Sequence, residues 1–236
     1  MVARRLILWD VDGTLVRLGP LASSAFASAV QQVVGRDAAG HGVSMGGKTD
    51  PQIAREIMAA LQVPEDEADG HLSAVLTELE RQLSGAEPEF AASGRTLPGV
   101  PELLRRLHDT PGVTQTVLTG NLAANARVKV AAFGLDAFLD LDIGAYGSDD
   151  HDRLKLVPIA LEKAARVREL RFEPDEAWVI GDTLRDLACA RAGGARCLLV
   201  RTGRDPLPPD EAGGADAVLS DLTDGDRVLA LMGLAT

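Results

Sequence analysis

The chain has 236 residues, which is enough for one large domain or for a domain with a small one attached. Its formal net charge of −11 disfavours a nucleic-acid partner, because binding to nucleic acid requires a basic surface. Apolar residues make up 46% and charged residues 25% of the chain, as in ordinary globular proteins.

Two features of the sequence bear on its cellular location. The cysteines Cys189 and Cys197 are too few for a disulfide framework and lack the spacing of metal ligands, which fits a reducing compartment. The first apolar run stops at Asp10, so it is too short for the core of a signal peptide or for a membrane span. We therefore expect a cytoplasmic protein with no membrane partner.

Short, continuous apolar runs predict strands that are buried on both faces of a parallel sheet. In chain order they lie at residues 6–9, 113–118, 177–180 and 197–200, with weaker candidates at 139–143 and 217–219. Helical patterns lie between the later runs, at residues 100–108, 121–133, 154–167 and 184–192. Because strands alternate with helices, the sequence predicts an α/β fold with a doubly wound, Rossmann-like parallel sheet.

Residues 18–94 have a different pattern from the rest of the chain. Helical patterns occur at residues 22–34, 51–61 and 67–83, and no convincing strand occurs among them. We interpret this segment as an all-helical cap inserted after the first strand. Residues 1–17 and 95–236 then form the α/β core.

The first polar signal is a pair of carboxylates at the end of the first strand. Asp10 and Asp12 lie two apart on extended chain, so both side chains point to the same side. Gly13 permits a tight turn before Thr14. Paired carboxylates can divide the work of catalysis, because one can attack while the other moves a proton.

The second signal follows the strand at residues 113–118. Thr119, Gly120 and Asn121 offer a hydroxyl and backbone amides at a strand-to-helix turn, which suits the binding of an oxyanion. A simple helix cap at Thr119 or Asn121 explains the same residues equally well on local grounds.

The third and fourth signals come later in the chain. Lys155 follows a polar loop and could neutralise a phosphoryl group, although a solvated surface lysine is the simpler interpretation of it alone. Asp182 directly follows a buried strand, and Asp186 lies one helical turn further. Carboxylates are the hard oxygen ligands that Mg²⁺ prefers, while a helix cap and a surface residue are the competing interpretation.

Taken together and in this order, the four signals resemble the four motifs of the haloacid dehalogenase superfamily. The stretches at residues 97–100 and 190–193 add to the resemblance, which covers nearly the whole core. The helical insertion resembles the class 1 cap of the phosphoglycolate phosphatase and β-phosphoglucomutase branch.

The resemblance implies a role for each position. Asp10 would attack phosphorus and form an aspartyl-phosphate, and Asp12 would act as general acid and then as general base. The phosphoryl group would be held by Thr119, Gly120, Asn121 and Lys155. Mg²⁺ would be bound by Asp10, the backbone carbonyl of Asp12 and Asp182, with Gly13, Thr14 and Asp186 in supporting positions.

The implied function is hydrolysis of a small phosphorylated metabolite by a magnesium-dependent phosphatase that is a monomer or a homodimer. The acid at Asp12 favours phosphate-ester chemistry over dehalogenation. Two alternatives stay open: a phosphomutase of the β-phosphoglucomutase type, which uses the same motifs, and a binding module that has kept the fold without the chemistry.

Two further segments remain open to interpretation. Arg17 departs from the acidic residue that many relatives carry near the first motif, and it either contacts an anionic substrate or is solvated. The segment from Gly42 to Thr49 matches the GxxxxGK[ST] pattern of nucleotide hydrolases but lacks the preceding strand. We predict instead that Lys48 and Thr49 reach the non-phosphate end of the substrate, with a plain loop as the alternative.

Overall fold

The computed structural model of the protein describes residues 3–234. In chain order the strands are β1 (Arg5–Trp9), β2 (Val16–Arg17), β3 (Arg95–Thr96), β4 (Val113–Thr119), β5 (Ala145–Tyr146), β6 (Ala177–Gly181), β7 (Arg196–Val200) and β8 (Ala217–Leu219). The helices are α1 (Leu21–Val34), α2 (Asp50–Ala60), α3 (Glu65–Leu83), α4 (Glu87–Ser93), α5 (Val100–His108), α6 (Ala123–Ala131), α7 (Leu156–Arg168), α8 (Leu184–Ala192), α9 (Pro209–Ala212) and α10 (Gly225–Leu231).

The core is a six-stranded sheet in the order β5-β4-β1-β6-β7-β8, and every neighbouring pair is parallel. Its strands are buried on both faces. Ile7 and Trp9 of β1 belong to one hydrophobic cluster, whereas Leu6 and Leu8 belong to another on the opposite face. Because side chains alternate along a strand, this two-sided burial explains the continuous apolar runs and confirms the predicted doubly wound fold.

The carboxyl ends of β1, β4 and β6 meet at one edge of the sheet. The chain runs outward from β1 to β4 and β5, then crosses to β6 on the other side of β1. Ligands of open α/β sheets bind outside the carboxyl ends of strands at such a reversal of strand order. The topology therefore places residues after Trp9, Thr119 and Gly181 around one crevice.

Helices α1 to α4 occupy the segment for which an all-helical insertion was predicted. The chain leaves the core through β2 and returns through β3, which pair antiparallel with Arg17 opposite Arg95. The apolar faces of these helices, including Phe26 and Ile57, join the hydrophobic cluster on one face of the sheet. Residues 18–94 therefore remain our proposed cap. Within residues 3–234, no helix has the length and apolar character to cross a membrane.

Residues 139–143, which were predicted to form a strand, form a turn instead. The carboxylates of Asp140 and Asp142 bind Arg168, and the chain turns at these residues instead of extending. The short strand β5 follows at Ala145, where pairing with Leu118 begins. The helix expected from residue 121 begins at Ala123.

Candidate active site

A cavity of about 370 Å³ lies at the carboxyl ends of β1, β4 and β6. Its lining includes most of the predicted site residues, namely Asp10, Asp12, Gly13, Thr119, Gly120, Asn121, Lys48 and Asp182. Residues of the proposed cap, from Pro20 to Ile53, line its other side. The sheet topology thus brings together side chains that are far apart in the sequence.

Three buried carboxylates form an acidic cluster in this crevice. Asp10, Asp182 and Asp186 each offer an oxygen, and these oxygens all lie within 4.8 Å of one another. Burial raises the pKa of Asp10 above its ordinary value, and the neighbouring charge of Asp186 raises it further. Burial and the charge of Asp10 raise the pKa of Asp182 in the same direction. The cluster therefore carries more negative charge than its surroundings stabilise.

The donor set of this cluster fits a hard divalent cation. Carboxylate oxygens are the ligands that such cations prefer, and a bound cation would offset the crowding of like charges. Asp182 is held in place by the hydroxyl of Thr14, which donates to its Oδ1 at 3.1 Å. Asp186 accepts hydrogen bonds at Oδ2 from the backbone and hydroxyl of Thr183, so it also fixes the start of α8.

Gly13 lies directly against this cluster. Its φ angle is +96°, a conformation that residues with a Cβ rarely adopt. A Cβ at this position would lie 2.5 Å from Oδ2 of Asp182, well inside contact distance. The tight turn after Asp12 therefore requires glycine both for its backbone and for the space occupied by Asp182.

Arg153 is a buried cation that the sequence did not single out. Its Nη2 donates to Oδ1 of Asp10 at 2.8 Å and to Oδ1 of Asp186 at 2.5 Å. Burial opposes the charge of Arg153, but the two carboxylates raise its pKa above the ordinary value. The guanidinium thus stays charged and offsets part of the negative charge of the cluster.

Lys155, the cation predicted at this position, lies outside the site. Its ammonium donates to Asp150 at 2.9 Å, its side chain is 57% exposed, and it does not line the cavity. Arg153 and Lys155 belong to one turn of 3₁₀ helix. Successive residues of such a helix are rotated by about 120°, so residues two apart cannot face the same way. Only burial, which the loop composition does not reveal, distinguishes the two.

The residues predicted to form an oxyanion cradle lie together at the end of β4. The backbone N–H of Asn121 donates to Oγ1 of Thr119 at 3.3 Å, and its side-chain amide donates to the same oxygen at 2.7 Å. Both side chains are buried, and α6 begins two residues later at Ala123. Gly120 between them packs against the backbone of Lys48.

Asp12 faces the cavity with a side chain that is 42% exposed. Its Oδ2 accepts hydrogen bonds from Lys129 at 2.6 Å and from Asn121 at 2.8 Å. Lys129 was not among the site residues predicted from the sequence. It lies three residues after Ala126 on the buried face of α6, and a lysine in that position of an amphipathic pattern is the signal that would have identified it.

The two predicted cap residues have different surroundings. Lys48 lines the cavity, and its ammonium pairs with Glu56. Thr49 does not line it: the buried hydroxyl donates to the carbonyl of His151 at 2.8 Å and caps α2 by accepting from Gln52. The structure therefore retains Lys48 as a candidate and assigns Thr49 to the contact between cap and core. Among residues 3–234, the element directly before this loop is helix α1, whereas a nucleotide-binding loop requires a strand there.

Asp50 connects the loop before α2 directly to the turn after β4. Its N–H donates to the carbonyl of Gly120 at 2.7 Å, and its Oδ2 accepts from the N–H of Leu122 at 2.8 Å. Burial raises the pKa of Asp50 to about 6, although the nearby charge of Lys129 acts in the opposite direction. The cap loop is thus fixed to the core by a reciprocal pair of hydrogen bonds.

Arg17 is half-buried in the cavity wall, which disfavours the interpretation of it as a solvated residue. Its Nη2 donates to the carbonyls of Thr202 and Gly203, and its Nε is buried without an acceptor among residues 3–234. Arg204, on the same wall, donates to the carbonyl of Leu18 at 3.0 Å. Within the described chain, neither guanidinium forms an ion pair with a carboxylate.

The chain is similar to known hydrolases in both sequence and fold. A sequence model of the haloacid dehalogenase-like hydrolases matches residues 4–194. The chain is 27% identical to the probable phosphatase IndB of Dickeya dadantii, over 84% of this chain and 81% of that protein. It is 28% identical to a phosphoglycolate phosphatase of Rhodospirillum rubrum, over 92% of this chain and 87% of that protein. The fold resembles a crystal structure of a predicted phosphoglycolate phosphatase from Haemophilus somnus, with a TM-score of 0.64, 21% identity, and coverage of 97% and 99% of the two chains.

Proposed function

The chain belongs to the haloacid dehalogenase-like hydrolases and is a phosphatase, and we propose that it hydrolyses a small phosphorylated metabolite with Mg²⁺ through a phosphorylated Asp10. The observation that carries this proposal is the position of Asp10. Its carboxylate lies in the acidic cluster, beside Arg153, at the edge of the cavity that the cradle of Thr119 and Asn121 also lines.

Asp10 is placed to act as the nucleophile. Arg153 binds its Oδ1, and its Oδ2 accepts no hydrogen bond from the described residues, which leaves that oxygen for the substrate. Attack of Oδ2 on phosphorus forms the new P–O bond as the bond to the leaving oxygen breaks. Mg²⁺, held by the carboxylates of Asp10 and Asp182 and by the carbonyl of Asp12, would reduce the repulsion between the anionic carboxylate and the anionic phosphate.

Asp12 is placed to move protons on the cavity side of the nucleophile. As an acid it gives a proton to the leaving oxygen, which departs as an alcohol. The resulting carboxylate then takes a proton from the water that attacks the phosphorylated Asp10. Its exposure to the cavity supports this role, because both the leaving oxygen and the water must reach it.

Thr119, Gly120, Asn121 and Arg153 all line the cavity. We assign the hydroxyl of Thr119, the N–H of Gly120 and the guanidinium of Arg153 as donors to the phosphoryl oxygens. Preorganised donors of this kind stabilise the charge of the transition state without reorganisation. We therefore assign to Arg153 the charge-neutralising role that the sequence assigned to Lys155.

The cavity favours a small substrate with a second anionic group. Arg17 and Arg204 contribute positive charge to the wall, and Lys48 lies on the cap side. Within residues 3–234 the two arginines bind only backbone carbonyls, so they keep capacity for an anionic acceptor. A phosphorylated acid such as phosphoglycolate satisfies both requirements, and Lys48 would contact its non-phosphate end.

The test is phosphate release from a panel of phosphorylated metabolites, with Mg²⁺ and with a chelator, for the wild type and Asp10→Asn. We expect release that requires Mg²⁺ and is lost in the variant. Bisphosphate-dependent isomerisation of a sugar phosphate without net release would indicate a phosphomutase instead. Turnover of ATP that survives Asp10→Asn but is lost in Lys48→Ala would indicate a nucleotide hydrolase.

A further inference from the structure

Lys129 is an unusual residue for the buried face of a helix. It lies in α6 beside Ala126 and Val130, and only 4% of it is exposed. Lysine is almost never fully buried unless it is paired, because its charge loses hydration. A buried lysine on a helix that begins at the oxyanion cradle therefore requires a partner there.

The partner is the carboxylate of Asp12. Lys129 donates to Oδ2 of Asp12 at 2.6 Å and to Oδ1 of Asn121 at 2.5 Å. Asn121 in turn donates from its amide to the same Oδ2 of Asp12 at 2.8 Å. The three side chains close a triangle in which two donors converge on one carboxylate oxygen.

The other oxygen of the Asp12 carboxylate, Oδ1, remains available for proton transfer. Oδ1 of Asp12 accepts no hydrogen bond from the described residues, and the side chain is exposed to the cavity. Because Oδ2 is held from two directions, rotation about the Cβ–Cγ bond of Asp12 is restrained. With this restraint, Oδ1 stays directed toward the cavity that the substrate would enter.

Lys129 also lies near the docked cap. The carboxylate of Asp50, fixed to the N–H of Leu122, is close enough for the charges of Lys129 and Asp12 to affect it. Lys129 thus faces one carboxylate from the core and one from the cap loop. Its ammonium forms an ion pair with Asp12, and its charge lies close enough to Asp50 to oppose the rise in the pKa of that residue.

We propose that Lys129 is a positioning residue for proton transfer, which holds Oδ2 of Asp12 so that Oδ1 delivers the proton to the leaving oxygen. This inference rests on the proposed function. In the step concerned, the O–H bond at Oδ1 of Asp12 breaks as the P–O bond of the ester breaks. The proton passes to the leaving oxygen, the phosphoryl group passes to Asp10, and Asp12 is left as a carboxylate.

The test compares two leaving groups in Lys129→Met. An alkyl phosphate needs a proton on its leaving oxygen, whereas 4-nitrophenyl phosphate releases a stabilised anion and needs little assistance. General acid catalysis contributes about 10²- to 10⁴-fold, so we expect kcat for the alkyl ester to fall at least about tenfold more than kcat for the aryl ester. Lys163→Met is the matched control, because Lys163 pairs with Asp149 away from the cavity; it should leave both rates unchanged.

A role for Lys129 in folding alone would lower both rates by the same factor, and that result would overturn the inference. If the single variant does not fold, Asp50→Asn/Lys129→Met removes one of the two carboxylates that Lys129 faces, and it is compared with Asp50→Asn by the same ratio. An Asp12→Asn background provides the second readout, because Lys129→Met should cause no further selective loss there. A wild type without Mg²⁺-dependent turnover of either ester would overturn the proposed function together with this inference.

Discussion

The guanidinium of Arg153 lies between two buried carboxylates, one directly after β1 and one in the first turn of α8. One of them, Asp10, is the proposed nucleophile, and the other, Asp186, starts α8. Removing one partner of a buried ion pair leaves charge without compensation, which is far more costly than losing an exposed pair. Arg153 therefore contributes both to folding and to the charge balance of the reaction.

We expect Arg153→Ala to lower kcat/KM for the best substrate by about 10²- to 10³-fold, the usual effect of removing one donor that stabilises transition-state charge. Lys155→Ala is the matched control and should change kcat/KM by less than about twofold, because exposed ion pairs contribute little. Steady-state kinetics of the two purified variants measures both. A larger loss in Lys155→Ala than in Arg153→Ala would contradict the assignment.

Gly13 provides a second comparison at single-residue resolution. Gly13→Ala places a Cβ against Asp182, while Gly35→Ala has a similar positive φ angle but meets nothing within 4 Å. Both variants carry a backbone strain of about 1 kcal/mol or more. We therefore expect a loss in Tm from the strain in both variants, a further loss in Gly13→Ala from the overlap with Asp182, and loss of Mg²⁺ affinity in Gly13→Ala alone. Magnesium titration followed by calorimetry distinguishes them; equal Mg²⁺ affinities would contradict the role of Gly13.

The residues that the sequence failed to identify are those defined by burial. Asp10, Asp12 and Asp182 follow predicted strands, so the strand pattern alone places them at one edge of the sheet. Arg153 and Lys129 do not directly follow a predicted strand. Their importance comes from contacts with residues more than a hundred positions away. Amphipathic periodicity offers a hint for Lys129, whereas the neighbouring cations at residues 153 and 155 look alike in the sequence.

At the scale of elements, the loop before α2 is fixed to the turn after β4. A Cβ on Gly120 would lie 2.0 Å from the carbonyl oxygen of Lys48, and the N–H of Asp50 donates to the carbonyl of Gly120. This close approach needs a residue without a side chain on the core side. The loop before α2 consequently lies in direct contact with the turn that carries Thr119 and Asn121.

We expect Gly120→Ala to displace the cap loop while the sheet remains folded. Limited proteolysis should then cut residues 42–49 faster than in the wild type, and kcat/KM should fall by about 10²-fold because small displacements of a site are costly. Gly70→Ala, in an open position of α3, should leave proteolysis unchanged and stabilise the helix by about 0.5–1 kcal/mol. Unchanged cleavage of the cap loop in Gly120→Ala would contradict the docking.

Strand prediction failed at one element for a definable reason. Residues 139–143 alternate apolar and acidic side chains, as an edge strand does, but Asp140 and Asp142 bind Arg168 and turn the chain. The actual edge strand β5 has only two residues and is too short to create a pattern. Helix α4 was missed similarly, because its seven residues lie in a segment rich in turn formers.

For the molecule as a whole, the distribution of charge is more informative than its sum. The net charge of −11 disfavours an anionic substrate, yet Arg17, Arg153 and Arg204 contribute positive charge to the cavity wall. Buried acids lie on the same side of the molecule, and their ionisation opposes folding. The buried acids thus lower the stability of the fold, and the same charges allow the site to attract both a cation and an anion.

The destabilisation caused by ionising a buried acid can be measured for Asp50, because it makes stability depend on pH. Its pKa is about 6 in the folded protein and 3.8 as its ordinary value, so folding favours the protonated form. Its contribution to stability is therefore greatest below pH 3.8 and is lost as the pH rises to about 6.

We expect Asp50→Asn to be more stable than the wild type above that range, by about 2–3 kcal/mol, because the amide oxygen still accepts from Leu122 without carrying a charge. The difference should disappear as the pH falls towards 3.8. Urea unfolding as a function of pH measures it. A variant that is less stable than the wild type at neutral pH would contradict the sign of the effect.

The most direct test of the central claim is to trap the phosphorylated enzyme. A single turnover of the best substrate with Mg²⁺ is quenched with acid, and the digested protein is analysed by mass spectrometry. The account predicts one phosphoryl group on the peptide that contains Asp10 in the wild type, and none in Asp10→Asn. Phosphate release that continues in Asp10→Asn, or a phosphoryl group on a different residue, would contradict it.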